Sequence, residues 1–94
     1  MNYGRLDDNQ RKIIQRLRQC GVSVQSLTSV GKGCPDILVG YRGENWLFEI
    51  KNPEQPPNKR KLTQDEDSWH LNWCGRVDVV ESFEEIAEII KCTV

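Results

Sequence analysis

Apolar residues recur at helical spacing near the start of the chain. The residues of this apolar face are Ile13, Ile14 and Leu17. Asp7 is a favourable N-cap residue, and Gln10 follows it at the spacing of a capping box. Gly21 supplies the residue that often takes a left-handed conformation where a helix ends. These signals predict a first helix over Asp8–Gln19.

Three strands are predicted next. Residues 22–27 alternate between apolar and polar side chains, which is typical of a half-buried strand. Residues 37–39 are wholly apolar and suit a strand that is covered on both faces. Residues 45–51 form the next strand, and Arg42 and Gly43 lie between the two. Because this connection is so short, the second and third strands are expected to pair as an antiparallel hairpin.

A polar, basic loop and a second helix follow the hairpin. Prolines between positions 53 and 57 end the third strand. Thr63 begins the helix, Glu66 stands at the capping-box position, and Gly75 is expected to end it.

The last part of the chain is predicted to form a strand and a helix. Residues 77–80 are rich in valine and indicate the strand. Ser82 and Glu85 then form another capping box. The residues expected to be buried on this helix are Phe83, Ile86, Ile89 and Ile90. The complete order is α-β-β-β-α-β-α, which indicates a layered α/β protein.

Length and composition are those of an ordinary globular domain. The 94 residues are expected to form one domain, residues 1–94, with 37% hydrophobic and 29% charged residues. The first five residues lack the apolar core of a secretory signal, which favours a cytoplasmic protein. The four cysteines form no closely spaced pair, so they are expected to be free and mostly buried thiols rather than zinc ligands.

The charge is unevenly distributed along the chain. Residues 1–61 contain 11 Lys/Arg and 6 Asp/Glu, whereas residues 62–94 contain 2 and 8. One interpretation is a positive face that attracts phosphate. The alternative is that these charges only solvate the surfaces of helices.

Three side chains of complementary chemistry lie on the predicted hairpin: Asp36, Glu49 and Lys51. Successive side chains of a strand point to opposite faces, so Glu49 and Lys51 share a face. A two-residue turn would set a register that places Asp36 opposite Glu49. Directly opposed residues have Cβ atoms about 4.5–5.5 Å apart.

Two carboxylates at this separation repel unless one is protonated or a cation lies between them. Mg2+ prefers oxygen ligands, and the main-chain carbonyl of Ile50 is a further candidate ligand beside Asp36 and Glu49. Lys51 could orient or deprotonate a water, or stabilise the charge on a phosphate. The residues therefore indicate a metal-dependent phosphodiester hydrolase. The alternative is a structural ion pair without catalytic meaning.

The same residues resemble a known motif. Pro35-Asp36, twelve residues, and then Glu49-Ile50-Lys51 is similar to the PD-(D/E)xK nuclease superfamily. The segment from Gly33 to Leu38 resembles the Gly-x-Pro-Asp signature of the VRR-NUC family. The tail resembles that family too, at Leu62-Thr63, Trp69-His70, Trp73, Gly75 and Val79-Val80-x-Ser82-x-Glu84-Glu85. The likeness extends from about Asp8 to Ile90, and it is to the small stand-alone phage and prophage members.

This resemblance implies both a fold and an activity. The fold is restriction-endonuclease-like: an α-β-β-β-α-β core with a mixed sheet flanked by helices, plus a C-terminal helix. The activity is Mg2+- or Mn2+-dependent cutting of DNA by a homodimer, selective for branched DNA such as Holliday junctions. No membrane partner is expected.

The family's site residues match unevenly. Asp36, Glu49 and Lys51 match position by position. The family often adds an acid from the first helix, and Asp8 is the candidate here, since Asp7 already has a capping role. Members also place a Gln in the second helix, where this chain has Gln64 and Glu66. Neither is included among the predicted catalytic residues, because capping explains Glu66.

Other residues are candidates for contacts with DNA. Lys32 precedes Asp36, and the run Lys59-Arg60-Lys61 follows the catalytic strand, so all four could contact phosphates. Trp69 and Trp73 are spaced by one helical turn, which favours a core or dimer-interface role over stacking on bases. His70 is not expected to be a ligand or a base.

Two other classes of function remain open. A DNA-binding module with weak or lost catalysis would explain the missing helix acid, and it need not bind metal. A small interaction domain with a coincidental motif would have no affinity for DNA even at low salt.

Overall fold

The computed structural model describes residues 7–93, and it confirms the predicted order of elements. The helices are α1 (Asp8–Gln19), α2 (Gln64–Asn72) and α3 (Phe83–Ile90). The strands are β1 (Ser23–Ser26), β2 (Ile37–Tyr41), β3 (Glu44–Ile50) and β4 (Asp78–Val80). A short 3-10 helix, Pro57–Lys59, adds one turn inside the predicted proline-rich loop.

The four strands form one mixed sheet in the order β1-β2-β3-β4. The first two pairings are antiparallel, and β3 pairs with β4 in parallel. Arg42 and Gly43 both have positive φ values, 50° and 81°, as a tight hairpin turn requires. Tyr41 consequently pairs with Glu44, which confirms the predicted two-residue turn.

The hydrophobic core lies between one face of the sheet and the helices α1 and α3. The buried residues of the sheet include Ile37, Val39, Phe48 and Val80. Those of the two helices are Ile13, Ile14, Leu17, Phe83, Ile86, Ala87 and Ile90. Each large side chain buried here stabilises the fold by about 1.5–3 kcal/mol. Two predictions of burial were wrong, because Ile89 and Leu38 are only half-buried.

All three helices begin at the predicted capping residues. The Asp7 side chain accepts from the Gln10 N–H, and Ser82 accepts from the Glu85 N–H. Thr63 and Glu66 form a complete capping box. Such caps contribute about 1 kcal/mol each because they bind N–H groups that have no partner inside the helix.

Helix α2 differs from the other two because none of its residues is buried. It ends at Asn72, before the predicted Gly75, with Trp73 as its C-cap. Trp69 and Trp73 stack on each other with ring centroids 4.7 Å apart. Because Trp73 is 45% exposed, a core role is wrong for this residue, and the other predicted role, at a dimer interface, stays a prediction.

The cysteines confirm one expectation and contradict another. All four cysteines are free, as predicted, but only Cys92 is buried, so the expectation of mostly buried thiols was wrong. Among residues 7–93, no helix combines the length and the apolar character needed to cross a membrane.

Candidate active site

The hairpin brings Asp36, Glu49 and Lys51 together at one end of the sheet. Asp36 directly precedes β2, Glu49 lies within β3, and Lys51 directly follows β3. One carboxylate oxygen of Asp36, Oδ2, accepts a hydrogen bond of 2.7 Å from the Ile50 N–H. Lys51 Nζ lies 3.5 Å from Glu49 Oε2. The grouping expected from the sequence is therefore present.

The hairpin has the predicted register, but the ladder stops before the expected pair of Asp36 and Glu49. The ladder between β2 and β3 ends at the pair Ile37 and Phe48. The Asp36 N–H donates to the main-chain carbonyl of Phe48 at 3.0 Å, which is a bond that a regular pair with Glu49 would not form. Asp36 therefore does not form a regular pair with Glu49. Its side chain reaches across the hairpin instead, to the backbone of Ile50.

Glu49 is the most deeply buried charged residue of the site. It is 3% exposed, and its Oε1 atom has no hydrogen-bond partner. Burial, followed by the charges of Asp36 and Glu66, raises the pKa of Glu49 to about 9. Burial also raises the pKa of Asp36, against the lowering effect of the Ile50 N–H. Without a cation between them, one of these carboxyls binds a proton at neutral pH.

Glu66 is a member of the site that the sequence-based prediction excluded. Its Oε1 atom accepts a hydrogen bond of 2.7 Å from Lys51 Nζ. Burial lowers the pKa of Lys51, but the hydrogen bond to Glu66 and the charge of Glu49 outweigh it, so this pKa is raised. Burial raises the pKa of Glu66, but the hydrogen bonds from Lys51 and Thr63 outweigh it, so this pKa is lowered. The pair is therefore ionised over a wide pH range. The capping-box spacing was visible in the sequence, and the family resemblance placed a second-helix residue near the site, but no local pattern indicated that the Glu66 carboxylate reaches Lys51.

The first helix approaches the site through Asn9 rather than Asp8. Asp8 is 86% exposed and forms an ion pair of 3.1 Å with Arg11. The Asn9 side chain donates to the carbonyls of Lys51 and Glu81, each at 3.4 Å. The structure therefore does not bring Asp8 together with the three hairpin residues, and it gives Asp7 its capping role.

The predicted DNA-contacting residues lie in two loops. Lys32 is exposed with a positive φ of 56°, and it lines a groove of about 400 Å³ beside Trp69 and Trp73. Lys59 and Lys61 are exposed. Arg60, in contrast, is half-buried and pairs with Glu81 at 3.4 Å. These loops directly precede Asp36 and follow Lys51, so they flank the site in the chain.

The side chains of the site offer a small set of metal ligands. Within residues 7–93, no three His, Cys, Asp or Glu side chains are arranged to hold a metal ion. Asp36 and Glu49 supply two carboxylates, while Glu66 is engaged by Lys51 and Thr63. The Cys34 thiol is a further acidic group beside these carboxylates. Burial, followed by the charges of Glu49 and Asp36, raises the pKa of Cys34, so the thiol stays protonated. The His70 ring contacts the edge of the Trp69 ring rather than Asp36 or Glu49.

Comparisons with known proteins identify the fold. A solved chain described as a VRR_NUC domain matches this structure with a TM-score of 0.60. The two share 26% sequence identity, and the match covers 90% of this chain and 92% of that chain. No protein-family model matches the sequence, and no curated protein matches it.

The match therefore agrees with the hairpin motif on independent grounds. It confirms the expected restriction-endonuclease-like arrangement, a mixed four-stranded sheet with three helices. Together with Pro35-Asp36 and Glu49-Ile50-Lys51, it supports the assignment of this chain to the VRR-NUC family and a function of the nuclease type.

Proposed function

We propose that this protein is a Mg2+- or Mn2+-dependent DNA endonuclease that acts on branched DNA. The observation that carries the proposal is the state of Glu49, a buried carboxylate with one oxygen lacking a partner, beside Asp36. The ion pair with Lys51 uses only the Oε2 atom of Glu49 and does not account for the buried Oε1 atom, which costs about 1–3 kcal/mol when it has no partner. A site that binds a cation explains both the orphan oxygen and the adjacent acids.

The donor set fits a hydrated magnesium ion. Mg2+ is usually held by one or two carboxylates and retains several waters, so Asp36 and Glu49 suffice without a third acid. The Ile50 carbonyl is the further ligand that we propose. In an extended strand the N–H and C=O of a residue point to the same side, and the Ile50 N–H points to Asp36. The bound metal would supply an activated water and neutralise charge on the phosphate.

Lys51 would act as a cationic group at this site. Its ammonium has three N–H donors, of which one binds Glu66 and another lies toward Glu49. The remaining donor is available to an oxygen of the scissile phosphate. A fixed positive charge in a shielded position stabilises the extra negative charge of the pentavalent phosphate.

The proposed contacts with DNA use the two loops that flank the site. Lys32, Lys59 and Lys61 would bind backbone phosphates and position the duplex, without reading its sequence. Arg60 would contribute only if it left Glu81, which makes it the weakest of the four candidates. Asp8 stays a prediction for the helix acid, and it would need to leave Arg11.

Selectivity for branched DNA and a homodimer are proposed from the family resemblance. A four-way junction has a two-fold axis that an isologous dimer would match, with one active site for each of two strands. A chain of 94 residues buries a modest core, so a partner would add to its stability.

A DNA-binding module with weak or lost catalysis is the second candidate. The observation in its favour is the first helix, where Asp8 pairs with Arg11 and Asn9 contacts Lys51 instead of an acid. Such a module would bind DNA, but it would not need to bind Mn2+ at Asp36 and Glu49.

The test is a cleavage assay with Mg2+, Mn2+ or a chelator on a four-way junction, a flap, a duplex and a single strand. We expect metal-dependent cutting of the junction that Asp36→Ala and Lys51→Ala both abolish. Glu44 is an exposed acid on β3, the strand that also carries Glu49, so Glu44→Gln is the matched control. This variant should cut the junction normally. Absence of cleavage of every substrate, with Mn2+ binding also absent by calorimetry, would overturn the proposal. DNA binding without cleavage and without Mn2+ binding would favour the second candidate.

A further inference from the structure

The strongest partner of the Lys51 ammonium lies on α2 rather than on its own strand. The contact from Nζ to Glu66 is 2.7 Å, whereas that to Glu49 is 3.5 Å. Both side chains of the shorter contact are shielded, with Lys51 12% and Glu66 19% exposed. A charge-assisted hydrogen bond with this little solvent is stronger than an exposed ion pair.

The Glu66 carboxylate is itself held in place by the start of the helix. The oxygen that binds Lys51, Oε1, also accepts the Thr63 N–H at 2.9 Å. The Glu66 N–H in turn donates to Thr63 Oγ1 at 3.2 Å. Because the capping box immobilises Glu66, the carboxylate presents a fixed acceptor to the lysine.

The start of α2 is also fixed against the loop that leads to Asp36. Gly33 has a positive φ of 83°, and a Cβ atom at this position would overlap the backbone carbonyl of Asp65. Only a glycine permits this approach. The loop before Asp36, the first turn of α2 and the lysine after β3 are thus joined in one small region.

The start of α3 shows that capping does not by itself require a lysine. Glu85 Oε1 accepts the Glu81 N–H at 2.8 Å, and the Glu85 N–H donates to Ser82 Oγ at 3.1 Å. Glu85 thus performs the same capping task within its own helix start. Glu66 does this and also binds Lys51.

We propose that Glu66 is a positioning residue that holds the Lys51 ammonium beside the Asp36 and Glu49 carboxylates. Its consequence for cleavage rests on the proposed function, but the contact itself does not. While one N–H of the ammonium is hydrogen-bonded to Glu66, the Lys51 side chain keeps its orientation, and another N–H can donate to an oxygen of the phosphate. Without Glu66, the flexible side chain would sample other rotamers and lose alignment with the reacting group.

The first experiment measures Lys51 directly, without metal or DNA. The protein is treated with an amine-acetylating reagent, and mass spectrometry gives the acetylation rate of Lys51 relative to exposed Lys12. We expect Glu66→Ala to raise this ratio several-fold and Glu66→Gln to raise it less, because the amide oxygen can still accept from both groups. Glu85→Ala, which removes the equivalent carboxylate from the cap of α3, is the matched control and should leave the ratio unchanged. Thermal unfolding of each variant confirms that it is folded.

The second experiment separates kcat from KM in junction cleavage. We expect Glu66→Ala to lower kcat by about 10- to 100-fold with a smaller change in KM, since misplacement of a reacting group has effects of this size. Glu66→Gln should retain more activity, and Glu85→Ala should retain nearly all of it.

Two results would overturn the inference. Equal effects of Glu85→Ala and Glu66→Ala on Lys51 acetylation would show that the loss of a helix cap, not of the contact, exposes Lys51, and an unchanged ratio in Glu66→Ala would remove the contact altogether. If the wild-type protein cuts no DNA, the proposed function fails, while acetylation still decides whether Glu66 holds Lys51.

Discussion

Helices α2 and α3 begin with the same kind of cap but are attached to the protein in different ways. Four residues of α3 are buried in the core. No residue of α2 is buried, and Leu71 on it is 79% exposed. Helix α2 is attached through polar contacts at its first turn, above all Glu66 with Lys51. Changes in α3 should therefore affect stability, whereas changes at the start of α2 should affect the active site.

The largest expected effect is on stability and comes from α3. Ile86→Ala should reduce the free energy of unfolding by about 2–5 kcal/mol, because Ile86 is fully buried and the change leaves a cavity. Leu71→Ala on α2 is the matched control, and an exposed site should change stability by less than about 0.5 kcal/mol. Chemical denaturation of both variants measures the difference. Similar losses from the two changes would contradict the contrast between the helices.

A smaller effect is expected at the contact between Gly33 and α2. Gly33→Ala should cost about 1–3 kcal/mol, as overpacked positions do, since the new Cβ would displace the Asp65 backbone. It should also raise the acetylation of Lys51 by moving Glu66. Gly31 has a similar φ of 74° and no atom within 4 Å, so Gly31→Ala reports backbone strain alone. If the two variants lose equal stability and leave Lys51 unchanged, the close approach does not hold α2 at the site.

A dependence of stability on pH is also expected. A Glu in an unfolded chain titrates near pH 4.3, whereas the pKa of Glu49 is about 9 in the folded protein. Between these values the folded state binds the extra proton, so the stability of the metal-free protein should fall as pH rises, by at most about 1.4 kcal/mol per pH unit. Unfolding measured from pH 5 to pH 8.5 in a chelator should show this decline, and Glu49→Gln should flatten it.

Magnesium provides the internal check on this titration. Because the metal competes with the proton for the carboxylates, added Mg2+ should stabilise the wild-type protein more at pH 8 than at pH 6. If the stability of the wild-type protein changed with pH as little as that of Glu49→Gln, Glu49 would already be ionised without metal.

Local sequence was sufficient for most of the fold. Helix α1 has the predicted bounds, and Asp7, Thr63 and Ser82 cap the helices as expected. The turn at Arg42 and Gly43 sets the predicted hairpin register. These features depend on residues within a few positions of each other, where periodicity, capping and turn geometry act directly.

The same local reasoning was sufficient to place Asp36, Glu49 and Lys51 together. The three residues lie on a single tight hairpin, so their proximity follows from strand alternation and a short turn. Local reasoning could not decide between Asp8 and Asn9, because both lie in the first turn of α1, and only the docking of the helix selects which one contacts Lys51.

Tertiary packing was needed for the burial of Glu49 and for its neighbours. Strand alternation alone puts Glu49 on the sheet face opposite the main core, yet the residue is buried. The arrival of Glu66 beside Lys51 depends on how α2 docks, and the close approach at Gly33 permits that docking. A contact between residues 15 positions apart on different elements is set by the balance of packing and hydrogen bonding over the whole domain. No periodicity in the intervening loop encodes it.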